Sequence, residues 1–270
     1  MQETSIYQSY KNLKIWSFKI ALAVCFLVLL VASFMTNLEK VIHKNNAHKR
    51  LEILSVPVTN TESKCECNQQ QPSCPLHPQD LKGRLTVMDK VTLTEAETKL
   101  ERVKKGGFWW PSDCKAIWRV AIIVPYRNRS SQIAPFVFHM HRYLQRQALN
   151  YSIYIAEQEG NDPFNKGRVM NVGFVEAQKE GPWDCFAFHD IDMLPEDDRN
   201  LYYCASQPRH LAVAASQFHY KLPYYQFFGG AILLTTDQFK TVNGFSNSLW
   251  GWGGSDDEMW NRIKVSGMEK

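Results

Sequence analysis

The sequence predicts an α/β domain: a sheet of parallel strands carrying helices, reached through an N-terminal transmembrane helix and a flexible stem. Three observations lead there. Trp118-Arg-Val-Ala-Ile-Ile-Val-Pro125 is a continuous β-branched run closed by proline, the pattern of a strand buried on both faces. Such runs alternate with helix-periodic stretches, and strand–helix–strand order gives a parallel sheet with right-handed crossovers. Residues 20–35 are almost wholly apolar, broken only by Ser33. With Ile15, Trp16 and Phe18 they reach about the 20 residues a membrane span needs.

A chain of 270 residues can hold one substantial core or two small ones. At 44% hydrophobic and 13% aromatic it is globular rather than disordered. The net charge of +4 is modest and its basic residues are dispersed, so no nucleic-acid partner is expected. Seven cysteines leave two readings open. In the secretory pathway they would form disulfides. In the cytosol, Cys65, Cys67 and Cys74 would suggest a metal, but no matching His/Cys pair follows them, so zinc is disfavoured.

In chain order, residues 1–19 are expected to be a cytoplasmic tail. The long apolar run lacks a small-x-small cleavage site, so residues 20–36 are expected to be an uncleaved signal-anchor rather than a signal peptide. Lysines flank it on both sides, which leaves orientation to the long C-terminal part, expected to be translocated. Residues 37–73 are polar and mixed in charge, as in a stem. Leu85-Thr-Val87 reads as a short strand and Thr94–Lys105 as a charged helix, stopped at Gly106-Gly107. Phe136–Ala148 carries apolar residues at helical spacing, with Met140 in the core. Ser152–Ala156 is a second strand, followed by a helix through Val169, Val172, Gly173 and Ala177. Leu211–Ala214 and Ala231–Leu234 read as further strands, Asp237–Lys240 opens a helix, and Ser255–Arg262 opens another. Asn128-Arg-Ser130 and Asn150-Tyr-Ser152 are acceptor patterns for N-glycans, should the domain be lumenal.

The stretch around which the chain is organised is Asp184-Cys-Phe-Ala-Phe-His-Asp-Ile-Asp-Met-Leu-Pro195. An apolar strand delivers Asp190 and Asp192 to a loop at its carboxyl end, where open α/β sheets bind ligands. Two carboxylates so placed could hold a hard cation. Taken alone they read equally well as a solvated acidic turn. Tyr126-Arg-Asn-Arg129, just past another buried strand, can bind an anion such as a diphosphate or can be plain loop arginines. Asn243–Gly254 is rich in Gly and Trp, and indoles stack on sugar rings. Asp256 and Asp257 follow at a helix start, where they would also serve as caps.

Several motifs together carry a resemblance. They are Pro125-Tyr-Arg-Asn-Arg129, Phe164-Asn-Lys-Gly-Arg168 with Asn171-Val-Gly-Phe174, Asp190-Ile-Asp192, Phe228-Gly-Gly230 and Trp250-Gly-Trp-Gly-Gly-Ser-Asp-Asp257. From about Cys74 to Met268 the chain resembles the β-1,4-galactosyltransferases, inverting, membrane-anchored Golgi enzymes with a GT-A, Rossmann-type fold. The resemblance implies a catalytic domain over residues 74–270 and Mn²⁺ as cofactor, held by Asp192. It implies a nucleotide and donor site of Pro125, Tyr126, Arg127, Asn128, Arg129, Phe164, Asn165, Lys166, Asp190, Ile191, Asp192 and Trp252. It implies an acceptor and sugar pocket of Tyr224, Phe227, Gly230, Gly254, Ser255 and Asp257, with Asp256 as general base. It also implies the disulfides Cys74–Cys114 and Cys185–Cys204.

Four departures from the family pattern bear on function. Lys166 and Ser255 stand where members commonly have Arg and Glu. Phe227 replaces a more frequent Tyr at a position that influences whether galactose or N-acetylgalactosamine fits. The chain ends at Lys270, where members continue into a loop supplying a His ligand to the metal, so the domain is expected to be incomplete at its C-terminus. The implied function is β-1,4 transfer of galactose from UDP-galactose to a terminal GlcNAc or glucose of a glycoprotein or glycolipid, in the Golgi membrane with the catalytic domain lumenal. Two alternatives are N-acetylgalactosamine transfer from UDP-GalNAc and a truncated, weakly active or inactive sugar-nucleotide-binding protein.

Overall fold

The computed structural model describes residues 71–100 and 102–270. The expected tail, the apolar run at 20–36 and all but the end of the stem lie outside the described residues. Among the described residues, no helix is long and apolar enough to cross a membrane.

Six strands form one mixed sheet in the order β1-β3-β2-β4-β6-β5. They are β1 (Phe108–Trp109), β2 (Arg119–Tyr126), β3 (Asn150–Glu157), β4 (Cys185–His189), β5 (Arg209–His210) and β6 (Ala231–Thr235). The central trio β3-β2-β4 is parallel, as its sequence pattern predicts, with Ile122 opposite Ile153 on one side and Ala187 on the other. Its crossovers run through α2 (Ser130–Leu144) and α3 (Lys166–Glu180). The remaining pairings are antiparallel, which corrects the expectation of a parallel sheet. Ala231 enters β6 opposite His189, so β6 starts at the edge where β4 ends and runs back against it.

Apolar side chains cover both faces of the sheet. Val120, Ile122, Val124, Phe136, Met140, Tyr143 and Tyr202 pack on one side. Ala121, Ile123, Phe174, Phe186, Phe188, Phe239 and Trp260 pack on the other. Gly173 lets α3 approach β2, because a Cβ there would lie 2.5 Å from Ile123 Cγ2. Both implied disulfides are present, Cys74–Cys114 and Cys185–Cys204. The second ties the first residue of β4 to the segment that leads into β5.

Four local expectations shift. The strand at Leu85–Val87 is only an isolated bridge, Arg84 to Asp197, because no neighbouring strand continues it. The helix expected over Thr94–Lys105 is α1 (Leu93–Lys99), started by a capping box between Thr92 and Glu95. The strand at Leu211–Ala214 forms two residues earlier, as β5. Leu211 N–H still donates to Ala231 O at 2.9 Å, but Ala231 is the first residue of β6, so nothing remains beyond it to pair with. The helix expected at Phe136–Ala148 is the second half of α2 followed by a 3₁₀ turn at Gln145–Gln147. The last two helices are α4 (Thr236–Thr241) and α5 (Ser255–Val265).

Candidate functional site

Strand direction assembles the site. β2, β3 and β4 are parallel, so the loops after Tyr126, Glu157 and His189 leave from one edge of the sheet. β6 is antiparallel to β4, so Gly229 and Gly230, which lead into it, lie at that same edge. Asp190 N–H donates to Gly230 O at 2.7 Å, extending the ladder one step past the strand.

Lys166, the first residue of α3, is the centre of charge. Its Nζ lies 2.8 Å from Asp190 Oδ1 and 3.1 Å from Asp256 Oδ1, and its side chain is 18% exposed. Burial opposes its charge, but Asp190 and then Asp256 outweigh that and raise its pKa above the ordinary lysine value. Burial also raises Asp190, while Lys166 pulls it back. The direction that follows from geometry is a protonated Lys166 clamped by two carboxylates. Asp256 sits in the first turn of α5. Gly229 gives it room, because a Cβ at 229 would lie 2.3 Å from Asp256 Oδ2.

Asp190 and Asp192 do not converge. Asp190 turns inward to Lys166, whereas Asp192 is half-exposed and its Oδ2 lies 2.6 Å from Arg129 Nη1. Between them Ile191 is buried. Behind them His189 faces away from Asp190, as alternation along a strand requires. It is buried against Phe136 and Tyr202, hydrogen-bonded to the Tyr202 hydroxyl at 2.9 Å, and burial holds its pKa down to about 4. Among the described residues, no three His, Cys, Asp or Glu side chains gather as a metal site. Asp192 offers a half-exposed hard oxygen, the donor type Mn²⁺ takes, and so fits a metal as one ligand among several.

Pro125 and Tyr126 are buried at the end of β2 and shape the loop rather than face it. Arg127 stacks on the Phe164 ring at 5.3 Å and donates to Asp162 O, while Asn128 and Arg129 are exposed. Asn165 caps α3 by accepting from Arg168 N–H and donates to Asn247 O at 2.7 Å. Gly251 N–H donates to Phe164 O at 2.7 Å, so the Gly/Trp loop is stitched to the segment that leads into α3. Trp252 stands fully exposed in the Gly/Trp loop. Gly254 precedes α5 at φ 81°, and Ser255 is buried. Tyr224 donates from its hydroxyl to Asp257 Oδ1 at 2.7 Å, which pushes its pKa up to about 12, and it stacks edge-on with Phe227.

Two further residues shape this site without being candidates in the sequence. Gly229 was legible only as part of a glycine pair, and its contact with Asp256 spans 27 positions of chain. His210 Nε2 pairs with Gly229 O at 2.9 Å and its ring packs on Phe227 and Phe228, so it supports the floor beneath Asp256. A lone histidine in a two-residue strand gives no motif to find it by.

Residues 74–205 match the family described as the N-terminal region of glycosyl transferase group 7, and residues 209–270 match the N-terminal domain of galactosyltransferase. The chain is 47% identical over 199 residues to a β-1,4-galactosyltransferase 5 of Danio rerio, covering 72% of this chain and 52% of that protein. It is 44% identical over 198 residues to the human β-1,4-galactosyltransferase 6, covering 72% and 52%. Over 238 residues it is 41% identical to the mouse β-1,4-galactosyltransferase 4, covering 87% and 66%. The chain thus spans about half the length of the first two relatives. Among solved structures, the catalytic domain of Drosophila β1,4-galactosyltransferase 7 with xylobiose superposes at a TM-score of 0.51 and 37% identity, covering 57% of this chain and 63% of that one. A mutant of that enzyme, in complex with manganese, UDP-Gal and xylobiose, superposes at 0.51 and 35% identity with the same coverage. With the mixed sheet, the Lys166-centred carboxylates and a match running from residue 74 to residue 270, the chain belongs to the β-1,4-galactosyltransferase family.

Proposed function

We propose that this domain transfers galactose from UDP-galactose to a hydroxyl of a terminal GlcNAc or glucose, with inversion at the anomeric carbon. The observation that carries the reading is the Asp256 carboxylate, held at 3.1 Å by Lys166 over a glycine that leaves its approach open. Asp256 accepts the proton of the acceptor hydroxyl as that oxygen attacks the donor from the face opposite UDP. Lys166 orients Asp256 and Asp190 together, so the base and the donor-side carboxylate share one support. Arg127 and Arg129 line the nucleotide end, where guanidinium forks suit a diphosphate. Tyr224, fixed by Asp257, and the exposed face of Trp252 offer stacking surfaces for sugar rings.

Mn²⁺ is the proposed cofactor, in keeping with the manganese in the Drosophila complex. Asp192 would be its protein ligand among the described residues, and the metal would supply charge to offset the departing diphosphate. The proposed location is the Golgi membrane, with residues 20–36 as anchor, 37–73 as stem and the catalytic domain lumenal. The two disulfides support an oxidising compartment.

A transfer assay with Mn²⁺, comparing UDP-Gal and UDP-GalNAc on GlcNAc- and glucose-terminated acceptors, tests the reading. Turnover with UDP-Gal is expected. A strong preference for UDP-GalNAc would replace the donor, a reading that Phe227 motivates because it brings no hydroxyl to the pocket. A folded protein that binds UDP yet transfers nothing would make the chain a sugar-nucleotide-binding protein.

A further inference from the structure

Two Asn-x-Ser sequences carry the pattern of an N-glycan acceptor, and the fold sets them apart. Asn150 opens β3, at the end of the sheet away from the site, and its N–H donates to Trp118 O at 3.2 Å. Tyr151 and Ser152 beside it are fully buried, and Ser152 Oγ donates to Gly106 O at 3.1 Å. Asn128 is exposed on the loop between β2 and α2, as is Ser130. Its φ of 53° is the left-handed conformation that Asn tolerates in turns. It lies between Arg127, stacked on Phe164, and Arg129, paired with Asp192.

We propose that Asn128 is an N-glycosylation site, and that a glycan there restricts nucleotide entry at the arginine end of the cleft. The proposal rests on the lumenal placement above. In the modification, Asn128 Nδ2 forms a bond to the anomeric carbon of a lipid-diphosphate-linked oligosaccharide. The bond from that carbon to the diphosphate oxygen breaks, the lipid diphosphate leaves with the electron pair, and the amide nitrogen gives up one proton. The attached sugar then stands one residue from the Arg129–Asp192 pair at the mouth of the site. A glycan on Asn150 would lie at the opposite end of β3 and leave that mouth open.

The test uses the full chain expressed in cells with a secretory pathway. Peptide mass spectrometry before and after peptide-N-glycosidase reads occupancy, since that enzyme converts a glycosylated Asn to Asp. Titration with UDP in the presence of Mn²⁺ reads nucleotide entry for the glycosylated protein and for Ser130→Ala, which loses the glycan but keeps the neutral Asn128 amide, whereas the glycosidase product would carry a new carboxylate between two arginines. Asn128 is expected to be occupied, and Ser130→Ala to lose that glycan and to bind UDP at least several-fold more tightly. An unmodified Asn128 in a protein whose Cys74–Cys114 and Cys185–Cys204 bonds have formed overturns the site while sparing the lumenal reading. An unmodified Asn128 with those four thiols free overturns both. Equal UDP affinity in both forms, or binding in neither, overturns the restriction of entry.

Discussion

Lys166 shows how much one side chain decides. Its single ammonium reaches both Asp190 and Asp256. Replacing it with Ala leaves two partly buried carboxylates facing each other without a cation. A loss of about 1–3 kcal/mol in denaturant unfolding is expected, together with weaker transfer as Asp256 loses its support. Asp256→Asn removes the proposed proton acceptor but keeps the shape. Transfer should fall by about 10²–10⁴-fold with UDP affinity retained, and undiminished transfer would rule Asp256 out as the base. Gly229→Ala tests the same group from below. Its new Cβ would meet Asp256 Oδ2 at 2.3 Å, so the turnover number should drop while the thermal midpoint moves little.

At the scale of elements, the sheet edge is held by a covalent tie and a set of side-chain stitches. Cys185–Cys204 closes a loop of sequence separation 19 that contains Asp190 and Asp192. Its replacement by a serine pair should cost about 2–4 kcal/mol in unfolding experiments, and should weaken nucleotide binding because both carboxylates lie within that loop. Across the site, Asn171 Nδ2 donates to Phe245 O at 2.8 Å and Phe245 N–H donates to Asn171 Oδ1 at 2.9 Å, fixing α3 to the loop before α5. The sequence placed the helix and the loop but gave no sign that they touch, since 74 residues separate the partners. Likewise, the run at Leu211–Ala214 looked like a strand by composition, and only the start of β6 at Ala231 determined that pairing stops at Leu211.

The whole molecule buries histidines in its core. Burial holds His141 and His189 down to about 4, against about 6.5 in an unfolded chain. Between those values the unfolded state binds more protons than the folded one. Stability therefore falls as pH drops from about 6.5 towards 4, and is fully present above that window. Thermal melts across it should show a falling midpoint, with a shallower slope in His189→Gln, and a flat profile would contradict the burial argument.

The parallel core, the order of its helices and the residue types of the site were legible in the sequence. Strands buried on both faces must be apolar throughout, and motifs such as Asp190-Ile-Asp192 and Trp250–Asp257 are contiguous in the chain. Tertiary structure alone decided the direction of β6, the parting of Asp190 from Asp192, and the meeting of Lys166, Asp256 and Gly229. Each depends on where the chain re-enters the sheet after a long irregular connection. Local hydrophobic pattern carries no information about that return path, because the pattern of an apolar strand is the same in either direction.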